Sequence, residues 1–275
     1  MKKTKNIIVT PYNPAWPEQF QLESSLLKKT LSDLCVDIHH VGSTSVPGLA
    51  AKPKIDIIAV IKDNPLLAIQ RLEASGFTYK GEFNIPMHYG FNKRGLIDIN
   101  LHVYVEGHPE IELNLAFRDY LRTHSDIRDA YANLKNKLLE NESSFEKTNS
   151  IFTGYNLGKD AFIRKVLEAT QFTKLRFLKC THFEEWRVAK KLRLEFFKRT
   201  DPEEWTFTDP HHLHFVFCLG VTVIGYAHVE LLENNQAHLK LLLIEEDHKT
   251  QTIKKEFLQR IEEYLTQKNI TFIYS

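Results

Sequence analysis

The sequence predicts an α/β (α+β) chain built as two successive domains, each a mixed sheet with helices. Three observations carry this. Short apolar or alternating runs such as Ile55–Ile61 and Leu96–Val105 are interleaved with amphipathic stretches of helical length. The 275 residues exceed what one ordinary core holds. Near Phe172 the pattern restarts with a fresh strand, which places the domains at 1–172 and 173–275.

In chain order, a helix is expected from Pro17 to Leu34, with Trp16, Phe20, Leu27, Leu31 and Leu34 near one side. A strand over Val36–His40 ends in the turn Gly42-Ser43-Thr44-Ser45. Pro47-Gly48 then redirects the chain, with room for a turn or two of helix before the strand Ile55–Ile61. A helix over Pro65–Ser75 is closed by Gly76. Met87–Arg94 pairs with Leu96–Val105 as a hairpin, and helices dominate from Pro109 to Ala169. The second domain reads as a strand at Leu175–Thr181, a helix over His182–Arg199, three strands at His212–Gly220, Val221–Leu232 and Ala237–Asp247, a helix striped by Ile253, Phe257, Leu258, Ile261 and Leu265, and a last strand at Thr271–Ser275.

The segment His39–Ile61 carries the chemistry. Gly42 lets backbone approach a ligand closely, and the hydroxyls and amides of Ser43, Thr44 and Ser45 can donate to a phosphate. Asp56 stands inside an apolar strand. An unpaired buried carboxylate costs several kcal/mol, of order 3–5, so it needs a partner, and Lys52 and Lys54 are near. Its alternative is a carboxylate held by backbone amides at a strand end.

In Leu96–Val105, Asp98, Asn100 and His102 share one face. Asp56 and Asp98 could then hold a divalent metal such as Mg²⁺, with His102 as a further ligand or proton carrier; the alternative is one solvated strand face. Arg118 and Arg122, four apart on a helix, are further phosphate candidates, with ion pairing to nearby aspartates as the alternative.

Thirty-six basic residues against 35 acidic give a net charge of +1, which does not favour nucleic acid or an anionic membrane as partner. Cys35, Cys180 and Cys218 are scattered and odd in number, as in a reducing compartment. No apolar run reaches membrane-spanning length or resembles a signal peptide, so a cytoplasmic location is expected.

The run Val41-Gly42-Ser43-Thr44-Ser45-Val46-Pro47-Gly48-Leu49, with Lys52-Pro53 and Ile55-Asp56-Ile57, resembles the signature of GrpB-type proteins. The likeness continues through Leu101-His102-Val103, Phe117–Arg122 and Ala130–Lys135 to Lys159–Ile163, and covers roughly residues 6 to 170. It implies a nucleotidyltransferase-like fold whose active members carry two acidic residues two positions apart on the strand after the turn. Here position 54 is Lys, on the same side of the strand as Asp56.

In the second domain, Val223–Ala227, Leu239–Ile244 and Ile253–Leu258 resemble the core of GNAT acyltransferases, which implies acetyl-coenzyme A as cofactor. The resemblance puts Lys249, Thr250, Gln251, Thr252 and Lys254 in the place of the family's glycine-rich pyrophosphate turn, although none is glycine. It also implies a domain that is truncated after its last strand, or completed by a second copy through the exposed sheet edge.

Three functions follow as expectations. One is acetyl transfer from acetyl-coenzyme A to an amine, with the first domain holding a nucleotide or other phosphate-bearing small molecule. Another is noncatalytic binding of a nucleotide-like or coenzyme A-like anion. The third is metal-dependent nucleotidyl transfer by the first domain.

Overall fold

The computed structural model describes residues 7–146, 152–181 and 183–273. The described residues divide into two units, the first running to 83 and again from 87 to 172, the second made of 84–86 and the residues from 173 onward.

The first unit opens with α1 (Trp16–Leu31), with Pro17 pre-set for its first turn. The helix stops three residues short of the expected end, tightening into a 3-10 turn over Ser32–Leu34. Arg71 explains the stop, since its guanidinium takes the Leu31 carbonyl at 2.6 Å and Asp33 at 2.8 Å, satisfying a terminal acceptor. Trp16, Phe20, Leu27 and Leu31 are buried as one stripe.

The sheet has the order β1-β2-β5-β4-β3, from β1 (Cys35–Val41), β2 (Lys54–Ile61), β3 (Thr78–Gly81), β4 (Tyr89–Lys93) and β5 (Asp98–Val105). Only the central pair β2/β5 is parallel, and α2 (Pro65–Ala74) lies within its crossover. The two-residue period puts Ile55, Ile57, Ala59, Ile99, Leu101 and Val103 into the core with the α1 stripe. It turns Lys54, Asp56, Asn100 and His102 to the opposite face. Helices α3 (Pro109–Thr123), α4 (Ser125–Leu139), α5 (Gly154–Leu157) and α6 (Asp160–Ala169) follow.

The expected turn of helix between Ser45 and Ile55 is absent beyond the 3-10 turn Ser43–Ser45. Pro53 disfavours helical backbone at Lys52, and Ala51 exchanges both backbone hydrogen bonds with Thr10 at 2.9 Å. An extended segment results.

In the second unit, β6 (Leu175–Lys179) is followed by α7 (Phe183–Phe196), β7 (His212–Leu219), β8 (Thr222–Leu232), β9 (Gln236–Ile244), α8 (Gln251–Gln267) and β10 (Thr271–Ile273). The sheet order is β10-β9-β8-β7-β6, antiparallel except for β9/β10. Tyr274, Ser275 and His182, which belonged to the expected last strand and helix, lie outside the described residues. One sheet face packs Phe215, Phe217 and Ala227 against Phe257 and Ile261 of α8, and the other packs Val216, Cys218 and Tyr226 against Ala189 and Leu192 of α7. Both chain patterns therefore become two-sided sheets. Among the described residues no helix is long and apolar enough to cross a membrane.

Arg193 of α7 is 0 % exposed and grips Asp201 through two hydrogen bonds of 2.6 and 2.7 Å. Its third nitrogen donates to the Tyr226 hydroxyl at 3.0 Å and approaches His228 Nδ1 at 3.3 Å. Tyr226 in turn meets His214 Nδ1 at 2.7 Å, and His228 Nε2 meets His212 Nδ1 at 2.8 Å. Burial, more than any other cause, lowers His214 to about 4 and His228 to about 2.

The first unit holds the same kind of group. Burial lowers His40 to about 4 and His88 to about 3. Each of these imidazoles is protonated more readily unfolded, near 6.5, than folded. Their contribution to stability is then full above pH 6.5 and falls as pH drops toward 4, because the unfolded chain binds more protons. Denaturant melts at pH 7.5, 6 and 4.5 should show a steadily falling midpoint. A flat profile would mean that the histidines are not held neutral.

Candidate functional site

The non-core face of β2 and β5 forms the floor of a cavity of about 290 Å³, lined by Ser43, Thr44, Ala51, Lys52, Lys54, Asp56, Asn100, Lys135, Tyr155, Asn156 and Lys159. Register decides what the floor presents. Asp56 lies opposite Asn100, whose amide donates to its carboxylate at 2.8 Å. Asp98 lies opposite Lys54 and pairs with Arg94 at 2.9 Å, whereas His102 lies opposite Ile58 and meets His88 at 2.9 Å. The expected convergence of Asp56, Asp98 and His102 is thus not formed, because each step of two residues along a strand moves a side chain roughly 7 Å.

A metal pair at Asp56 and Asp98 does not fit this floor. The one carboxylate there faces an amide and ammonium groups, which repel a divalent ion. Among the described residues no group of three His, Cys, Asp or Glu side chains is placed to hold a metal.

The turn over the floor is built tightly. Gly42 has φ 69°, and a Cβ there would run into the Asp56 carboxylate, so only glycine gives both the backbone and the close approach. Ser45 spends its hydroxyl on the Gly42 carbonyl at 2.6 Å, and His40 Nε2 lies 3.1 Å from the Thr44 hydroxyl. Ser43 and Thr44 line the cavity, whereas Ser45 does not.

Arg118 and Arg122 serve this turn from behind. Arg118 donates to the His40 carbonyl at 3.0 Å, and Arg122 makes two bonds of 3.0 and 2.8 Å to the Ser45 carbonyl. Both also meet Asp119, at 2.7 and 3.4 Å. They are therefore engaged with the backbone and line no part of the cavity.

Four residues absent from the sequence-derived site complete it: Lys135, Tyr155, Asn156 and Lys159. Lys135, 2 % exposed, donates to the Ala50 carbonyl and to Ser43 Oγ, the latter at 3.2 Å. Lys52 and Lys159 stand over the Tyr155 ring at 4.2 and 4.7 Å. One signal was available for Lys135: it follows Tyr131 by four residues and so shares the buried face of α4.

The pocket holds more positive than negative charge. Burial and then neighbouring lysines lower Lys135 to about 7 and Lys159 to about 8, and burial with Lys54 lowers Lys52 to about 8. Burial raises Asp56, against the Asn100 hydrogen bond and the nearby lysines. No described carboxylate pairs with any of the four lysines. Such a pocket can take an anion by charge and by the Ser43 and Thr44 hydroxyls.

The GrpB protein family matches residues 6–169, which include every residue of this cavity. The chain belongs to the GrpB family. UPF0157 protein BH1888 of Halalkalibacterium halodurans is 39% identical over 139 residues, covering 50% of this chain and 71% of that protein. The crystal structure of the conserved protein GrpB from Enterococcus faecalis matches 59% of this chain and 96% of that one, at 36% identity and a TM-score of 0.53.

Beyond the GrpB match, the C-terminal region is similar to an aminoglycoside acetyltransferase from an uncultured soil metagenomic sample. That likeness has 17% identity and a TM-score of 0.32, over 38% of this chain and 78% of that one. The residues implied as a cofactor turn there have other tasks: Thr250 caps α8 by accepting from the Ile253 amide at 3.2 Å, and Lys249 pairs with Glu246 at 2.7 Å. Gln251, Thr252 and Lys254 are exposed on the first turn of α8.

Proposed function

We propose that the GrpB unit binds a phosphate-bearing small molecule in the lysine-lined cavity and acts there as a binding module rather than as a metal-dependent transferase. The observation that carries this reading is four lysines and two hydroxyls around a single carboxylate that is already held by Asn100. Buried cations of depressed pKa are a cost to the empty protein that an anion removes.

Inorganic phosphate should raise the melting temperature of the full chain, and Lys159→Gln should abolish the rise. The pH sign is fixed by the same groups. Lys52, Lys135 and Lys159 lose protons near 7 to 8 when folded and near 10.5 when unfolded, so the empty site gains stability as pH rises across that range. Anion binding needs the protonated forms and should weaken over the same range. Phosphate stabilisation that grows from pH 7 to 9 would count against the lysines as the binding groups.

A second reading is acetyl transfer from acetyl-coenzyme A to an amine by the other unit. One observation favours it: β9 carries a register shift beside His228/Val229 that leaves Lys240, with its main-chain amide, opposite no residue of β8, and among the described residues β10 pairs with Gln236, Ala237 and His238. Such amides could stabilise the oxyanion formed when a deprotonated amine attacks the thioester and coenzyme A thiolate leaves. Calorimetry with acetyl-coenzyme A tests this directly, and Lys249→Ala/Lys254→Ala should lose any heat that the implied turn provides.

A further inference from the structure

The charge count at the cavity is specific. Lys52, Lys54, Lys135 and Lys159 face one carboxylate, Asp56, which formally leaves three positive charges. Lys135 is bound to the Ala50 carbonyl and Ser43, so it fixes the turn. Lys159 makes one long bond to Asn156 Oδ1 at 3.4 Å and, with Lys52 and Lys54, remains to meet a ligand.

A single phosphate ester carries about two negative charges at neutral pH, and two linked phosphates carry about three. Lys54 has a second consequence. It lies on the same side of β2 as Asp56 and opposite Asp98, so an ammonium group stands two residues from the floor's single carboxylate, where a second carboxylate would be needed to hold a divalent ion. A magnesium-complexed diphosphate would bring two positive charges into a pocket that already holds four ammonium groups. It would also leave too little negative charge to satisfy them.

We infer that the cavity selects a diphosphate group free of divalent metal, with Lys52, Lys54 and Lys159 neutralising the charge that a magnesium ion neutralises in metal-dependent sites. This rests on the reading of the cavity as a phosphate site. No bond to phosphorus forms or breaks, and the ligand's organic part is unconstrained by these groups. A cavity of about 290 Å³ holds the diphosphate and a small part of what it is attached to.

The test is calorimetry on the full chain with inorganic phosphate, with pyrophosphate in the presence of a chelator, and with pyrophosphate in excess magnesium. Pyrophosphate should bind at least about tenfold more tightly than phosphate, the effect of one further charge-assisted contact. Excess magnesium should weaken it, and Lys54→Gln should cut pyrophosphate binding more than phosphate binding. The magnesium titration needs only the unaltered protein, so a variant that fails to fold leaves the test intact. Equal binding of phosphate and pyrophosphate, or tightening by magnesium, overturns the inference and leaves the phosphate site standing. Silence from all three overturns the site itself.

Discussion

Replacing Arg193 by Met is expected to cost the second unit about 3–5 kcal/mol, the usual effect of breaking a buried ion pair. The guanidinium is fully enclosed, its two bonds to Asp201 are short, and it also supplies Tyr226 and approaches His228. Methionine would fill much of the volume, but the Asp201 carboxylate, whose pKa that guanidinium lowers, would lose its partner. Denaturant unfolding followed by tryptophan fluorescence reads this out, since Trp186 packs beside the Phe207 ring within the same unit. Asp201→Asn should be similarly harmful. The double variant Arg193→Met/Asp201→Asn should recover part of the loss, because no buried charge is then left alone. A single-variant loss under about 1 kcal/mol would show that the pair is replaceable packing rather than a needed charge pair.

Gly42→Ala should be nearly as severe in the first unit, and it should also abolish phosphate binding. The backbone alone, at φ 69° and ψ −173°, costs a side chain about 1–3 kcal/mol. Forcing a methyl group into the Asp56 carboxylate adds about 1–3 kcal/mol of overpacking. Asp56→Gly in the same chain should return the collision part but not the backbone part. If Gly42→Ala melts at the unaltered temperature and still binds phosphate, then the turn does not lie on the carboxylate as described.

Much of the scaffold was legible because it is written in local periodicity. The α1 stripe, the apolar run Ile55–Ile61 and the hairpin of β4 and β5 each announce themselves within ten or twenty residues. The turn Gly42–Ser45 and the isolated Asp56 were legible as a candidate site for the same reason. The remaining half of the cavity was not, because Lys135 lies on α4 and Lys159 in the turn before α6, about 90 and 115 residues downstream of the turn, and periodicity gives a residue's face without saying what that face meets. Arg118 and Arg122 show this limit most clearly. Their spacing put them on one side of a helix, yet their partners are the carbonyls of His40 and Ser45, which any residue would supply. Asp98 and His102 share a face with Asn100, but only register could tell that Asn100 alone stands opposite Asp56.

The Arg193 network has a direction. A guanidinium can only donate, so the Tyr226 oxygen and His228 Nδ1 must accept from it. Tyr226 then has its own proton free for His214 Nδ1, which makes His214 the Nε2–H tautomer and lets it donate to the Thr206 carbonyl at 3.1 Å. His228, accepting at Nδ1, is likewise an Nε2–H tautomer and donates to Nδ1 of His212. One permanent cation thus sets the orientation of three imidazoles in a row, and nitrogen chemical shifts of His212, His214 and His228 should each report an accepting Nδ1. A proton arriving at His212 Nδ1 can pass inward only if His228 reverses its tautomer, and the next group in line, the Arg193 guanidinium, has no lone pair to accept it, so polarity closes this route at His228.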